Sequence, residues 1–148
     1  MLPEELNLVL RKHKKKVFIY IWEYFTKRIH EEFIRSALEE SPFFYVEIKF
    51  SVVNRELSQN ADITNFWNAF FEQLSTEKRG CDLCGLLNND EGVALMFLDS
   101  TLNTKEDNPA WNRFCTEIQA KTFFDMRKWE GVIYAEYPPK EFFTSENG

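Results

Sequence analysis

Three sets of residues in this chain have types and spacings that chemistry can use. Cys81-Asp-Leu-Cys84 has the spacing of half a zinc site. A structural zinc takes four ligands, and the rest of such a set does not follow. Cys115 is the only other cysteine, and His13 and His30 lie far upstream without partner spacing. Ordinary buried cysteines are expected, and no metal or other cofactor is assigned. Residues 11–16 read Arg-Lys-His-Lys-Lys-Lys, which is five basic residues with no acid. Beside an apolar run, such a stretch can rest against anionic lipid, so membrane contact is one reading. The plainer expectation is a solvated N-terminal arm. Ile63, Phe66, Trp67, Phe70, Phe71 and Leu74 could line an aromatic cofactor box, but a stripe of this kind on one helical face is expected to be core packing.

Composition narrows the classes. The 148 residues carry a net charge of −6, so phosphate backbones are not attracted in general and nucleic acid is not an expected partner. Apolar residues at 44% and charged residues at 28% describe one folded domain and exclude collagen, coiled coil and low-complexity disorder. The 16% of aromatics predicts bulky core layers or an aromatic contact surface. An odd cysteine count without a secretion signal fits a reducing cytoplasm. The apolar run over residues 17–22 is far shorter than the about 20 residues that cross a bilayer.

The elements that must position any site follow from periodicity. A weak helix is expected over residues 2–12, starting at Pro3. Phe25, Ile29, Phe33 and Ala37, with Ile34 and Leu38 beside them, predict a helix over residues 22–40 with Lys27, Arg28, Glu31, Glu32, Arg35 and Glu39 on its polar face. Ser41-Pro42 ends it. Residues 43–53 are β-branched and aromatic and predict a strand, with apolar and charged residues alternating from Val46 to Phe50. A polar loop over residues 54–61 leads to Asp62 as a helix cap and a helix over residues 62–77. Residues 82–87 and 93–98 predict a hairpin whose tip is Asn88-Asn89-Asp90-Glu91-Gly92, since Asn, Asp and Gly tolerate the positive backbone angles of tight turns. Pro109 opens a helix over residues 109–121 with Trp111, Phe114, Cys115 and Ile118 on one side, and a last strand spans residues 132–137. The fold class expected is α+β: a mainly antiparallel sheet with covering helices. Residues 1–21 are expected as a basic extension, 22–139 as the domain and 140–148 as a tail.

At the hairpin the residues resemble the signature of bacterial diguanylate cyclases, the GGDEF domains. In that family Arg-x-x-Asp precedes a short strand, and five residues later comes Gly-Gly-Asp/Glu-Glu-Phe. Here Arg79 and Asp82 fall in register, Asn88 and Asn89 take the glycine places, Asp90 and Glu91 match the acids, and Gly92 replaces the phenylalanine, with no gap in fourteen residues. The likeness extends over about residues 22–137 and is closer still to the divergent GGDEF-like domains associated with bacterial sugar transferases of polysaccharide assembly. The resemblance implies a nucleotide-cyclase-like sandwich.

It also implies where activity is expected to fail. The family joins two GTP molecules with divalent metal, which needs a carboxylate on the first strand and another at the hairpin. With Phe50 and Asn54 as anchors, Val46 occupies the first carboxylate position; a shift of one supplies Glu47 but puts Lys49 where a second acid belongs. Asn88 and Asn89 add side chains where the family's paired glycines let backbone approach phosphate. Arg79 with Asp82 matches the family's inhibitory cyclic di-GMP site, and Asn54 with Asp62 resembles the guanine-reading positions. Helix capping, a strand end, a turn and a helix cap are the plainer roles of these four. The expectation is a catalytically inactive GGDEF-like regulatory or protein-interaction module in the cytoplasm, working through a protein partner or self-association. The alternative is a non-catalytic sensor of cyclic di-GMP or GTP, and the third reading is a residual cyclase.

Overall fold

A computed structural model describes residues 4–13, 18–39, 42–57, 60–76, 83–98 and 108–137. Four strands, β1 (Phe43–Lys49), β2 (Leu83–Leu86), β3 (Gly92–Leu98) and β4 (Ile133–Tyr137), form a sheet in the order β2-β3-β1-β4 with every pair antiparallel. β3 is inserted between β1 and β2, the arrangement of a split βαβ unit. The expected α+β class is therefore what the chain adopts.

Helices cover both faces. One face of β1, through Phe44, Val46 and Ile48, joins Val93, Leu95 and Phe97 of β3 in the main core. That core is closed by α1 (Glu4–His13), α3 (Phe50–Leu57), α4 (Asn60–Thr76) and α5 (Pro109–Thr122). The other face, through Phe43 and Tyr45, joins Ala94, Met96 and Leu83 in a smaller core closed by α2 (Trp22–Glu39) and its Phe25. β3 is buried on both faces for this reason.

The aromatic stripe of α4 is core, as its spacing predicts: Phe66, Phe70 and Phe71 are fully buried, and Trp67 lies edge-on to Phe50, Phe66 and Phe70. α5 likewise buries Trp111, Phe114, Cys115 and Ile118. The Asn108 side chain accepts the Trp111 N–H at 2.9 Å, and Pro109 supplies a first-turn residue with no N–H in need of an acceptor. Phe123 ends the helix in the left-handed region, with φ at 69° and its N–H donating to the Gln119 carbonyl. Asp125 then accepts from the Arg127 backbone and side chain, which turns the chain toward β4.

Four expectations are corrected. The strand predicted over residues 43–53 stops at Lys49, and residues expected as strand end and polar loop form α3. Phe50, Val53 and Leu57 share one helical face and reach the main core, and this burial outweighs the β-branched preference of Val52 and Val53. Asp62 is not a cap, because α4 begins at Asn60. The basic run expected as a solvated arm is helical over Arg11–His13, at the end of α1, where Arg11 and Lys12 are exposed but the His13 ring is buried and meets Asn68 of α4 at 3.3 Å; Leu6 and Val9, in the helix expected over residues 2–12, enter the main core. Only Arg11–His13 of the basic run is described, and residues 14–17, 99–107 and 138–148 lie outside the described residues.

The fourth correction concerns α2. Its inner face is Phe25, Ile29, Glu32 and Ser36, while Ile34 and Leu38 point outward. Each step of four residues along 25, 29, 33 and 37 rotates about 40° around a helix of 3.6 residues per turn, so the run leaves the core before it ends. Glu32, expected on the polar face, is buried and held by Arg28 at 2.6 Å and Arg35 at 2.8 Å. Burial alone would raise its carboxyl group; the hydrogen bonds from Arg35 and Arg28 outweigh that and hold it below the ordinary carboxylate value.

Candidate functional site

The candidate site is built where β1 ends beside the β2–β3 hairpin. The Phe50 N–H donates to the Glu91 carbonyl at 2.9 Å, which ties the start of α3 to the tip. The Leu87 N–H donates to the Gly92 carbonyl at 2.9 Å and the Glu91 N–H to the Asn88 carbonyl at 3.3 Å, closing the turn. Asn89 and Asp90 have φ of 58° and 55°, as the turn chemistry of Asn and Asp predicts. Asn88, Asn89 and Glu91 are exposed and Asp90 is half-buried.

Gly92 is required by close approach. A Cβ there would lie 2.3 Å from the Ile48 carbonyl oxygen, so the phenylalanine of the family motif does not fit this backbone. Gly85 is equally confined: a Cβ would lie 2.3 Å from the Phe25 ring.

The end of β1 divides its candidates between two faces. Val46, at the first carboxylate position of the resemblance, is fully buried in the main core. Glu47 lies on the opposite face, level with Ala94 of β3 and Ile133 of β4. Its Oε2 accepts the Tyr45 hydroxyl at 2.6 Å, a pairing possible because residues two apart share a strand face. Burial first, and the Glu47 carboxylate second, push the Tyr45 phenol well above the ordinary tyrosine value. Lys49, half-buried on Glu47's face, stands directly opposite Gly92 and is the basic residue in register with the tip.

The other candidates are dispersed or undescribed. Asn54 is exposed on α3 instead of in a loop. Asp62 lies in the first turn of α4, and its side chain is outside the described part. Arg79 and Asp82 lie outside the described residues, as does Cys81. Cys84 and Cys115 are buried thiols, and burial pushes that of Cys115 up. Among the described residues no group of His, Cys, Asp and Glu is gathered to hold a metal ion, and no helix is long and apolar enough to cross a membrane.

Two interactions escaped the sequence reading, although each left a signal. The Tyr45–Glu47 pair is visible as spacing of two on a strand, and the Arg28–Glu32–Arg35 clamp as spacings of four and three on a helix.

Comparison with known proteins gives one distant likeness and two negatives. No family model matches the chain. No curated protein matches it either. Among solved structures, the chain is similar to a DGC protein from Thermotoga maritima, at 19% identity over 81% of this chain and 82% of that one, with a TM-score of 0.45. The functional reading therefore rests on this chain's own residues.

Proposed function

We propose that the chain is a catalytically inactive GGDEF-like module that regulates or binds another protein in bacterial signalling or polysaccharide assembly. One observation carries this reading: the end of β1 offers the hairpin no unengaged carboxylate. Val46 is sealed in the main core, and Glu47 is turned to the other face and held by the Tyr45 hydroxyl. A cation bridging two nucleotides takes several oxygen ligands, and Asp90 and Glu91 alone supply too few. The tip supports the same reading, because Asn88 and Asn89 carry exposed side chains where the resembled motif has paired glycines whose bare backbone a phosphate can approach.

The test is direct. The purified chain, incubated with GTP and either magnesium or manganese, is expected to give no cyclic dinucleotide; any such product overturns the reading. Calorimetric titration with cyclic di-GMP and with GTP separates a bare interaction module, which gives no heat of binding, from a nucleotide sensor. If cyclic di-GMP binds, loss of that binding in Arg79→Ala assigns it to the Arg79–Asp82 stretch.

A further inference from the structure

The inner face of α2 closes the smaller core, but its outer face carries large apolar side chains that the domain leaves in solvent. Tyr24 is 58% exposed, Ile34 50% and Leu38 80%. With Lys27 and Glu31 they form one narrow stripe at residues 24, 27, 31, 34 and 38. Steps of three and four residues are the spacing by which two helices pack along a common seam. The order along the stripe is aromatic, basic, acidic, aliphatic and aliphatic.

That order is self-complementary in one geometry. Two α2 helices related by a two-fold axis level with Ile29 run antiparallel, and residue n then faces residue 58 − n of the mate. Lys27 falls level with Glu31 of the second copy, twice by symmetry, and Tyr24 falls level with Ile34, again twice. Leu38 reaches past the start of the mate's α2 at Trp22, toward Ile21, which is 51% exposed. Both charges in the stripe meet their opposites, and Tyr24 and Ile34 meet each other. A parallel pairing in register sets Lys27 against Lys27 and Glu31 against Glu31, which disfavours it.

We propose that the outer face of α2 is a docking surface for a second copy of this chain, forming an antiparallel two-fold dimer whose axis lies level with residue 29, between Lys27 and Glu31. The helix of 18 residues is about 27 Å long. A single helix pair of that length buries an area at or below the low end of specific interfaces, roughly 1,200 Å² in total. The dimer is accordingly concentration-dependent and not obligate. This deepens the interaction-module reading and rests on it for its biological sense alone. Turnover of GTP would defeat that reading and leave the mass measurement below untouched.

The experiment is sedimentation or light scattering of the full chain up to several hundred micromolar. The parent is expected to rise with concentration from 17.7 kDa toward twice that mass. Ile34→Glu/Leu38→Glu is expected to stay monomeric with an unchanged melting temperature, since both side chains face solvent in the monomer. Lys27→Glu and Glu31→Lys chains are each expected to stay monomeric alone, through like-charge facing, and to dimerise when mixed in equal amounts. A parent that remains monomeric throughout overturns the proposal. So does a dimer that survives Ile34→Glu/Leu38→Glu, or a mixture of the two charge variants that stays monomeric.

Discussion

Gly92 and Ile48 approach each other so closely that a Cβ on Gly92 would sit 2.3 Å from the Ile48 carbonyl oxygen. The atom it meets is backbone in the central strand, which has no side-chain freedom to relieve the clash. Gly92→Ala is expected to lower stability by about 2–3 kcal/mol, and Gly92→Phe, with its much larger side chain, by more. Urea denaturation measures both; an unchanged midpoint for Gly92→Phe would mean that β1 and β3 can separate at the tip.

Tyr45 and Glu47 predict an alkaline effect. The phenol is raised above its ordinary value of 10.0, so the associated stability is complete below about pH 10 and is lost as pH rises toward the folded value. Tyr45→Phe removes that dependence. Urea midpoints of the parent and of Tyr45→Phe are expected to differ by a constant amount up to about pH 10 and to converge or cross above it. Parallel curves across that range would show that Tyr45 titrates like a solvent-exposed phenol.

The clamp on α2 predicts the opposite limb. Glu32 is held below its ordinary value of 4.5, so its contribution is complete above that value and is lost as pH falls through the lower folded value. Glu32→Gln, which keeps the shape and loses the charge, is expected to cost about 1–3 kcal/mol at neutral pH and to flatten the acid limb. The check is the difference in denaturation midpoint between pH 7 and pH 3, which should be smaller in the variant.

Phe123 offers a stabilising change. It sits at φ 69° and is 89% exposed, so it bears the cost of a left-handed backbone with little burial in return. Phe123→Gly is expected to raise stability by about 0.5–1 kcal/mol, because glycine adopts that conformation freely at a helix end. A lowered melting temperature would show that the ring makes a contact worth more than the strain.

Several features are settled by local sequence alone. The aromatic stripe of α4, the Asn108-Pro109 start of α5 and the Asn89-Asp90 turn depend on residues within a turn or two of one another, and each is legible in the order of residue types. The same holds for the alternation that puts Val46 and Glu47 on opposite faces of β1. Long-range packing decides the rest. Burial of Phe50, Val53 and Leu57 makes α3 from residues with strand preference, and the partner of α2 chooses which of its two apolar stripes goes inward. Glu32 becomes an interior charge only because the face that meets the sheet carries it there with two arginines to neutralise it. Periodicity fixes which residues share a face, because it is set by backbone geometry; which face is covered depends on surfaces brought together from distant parts of the chain, and no local spacing encodes that.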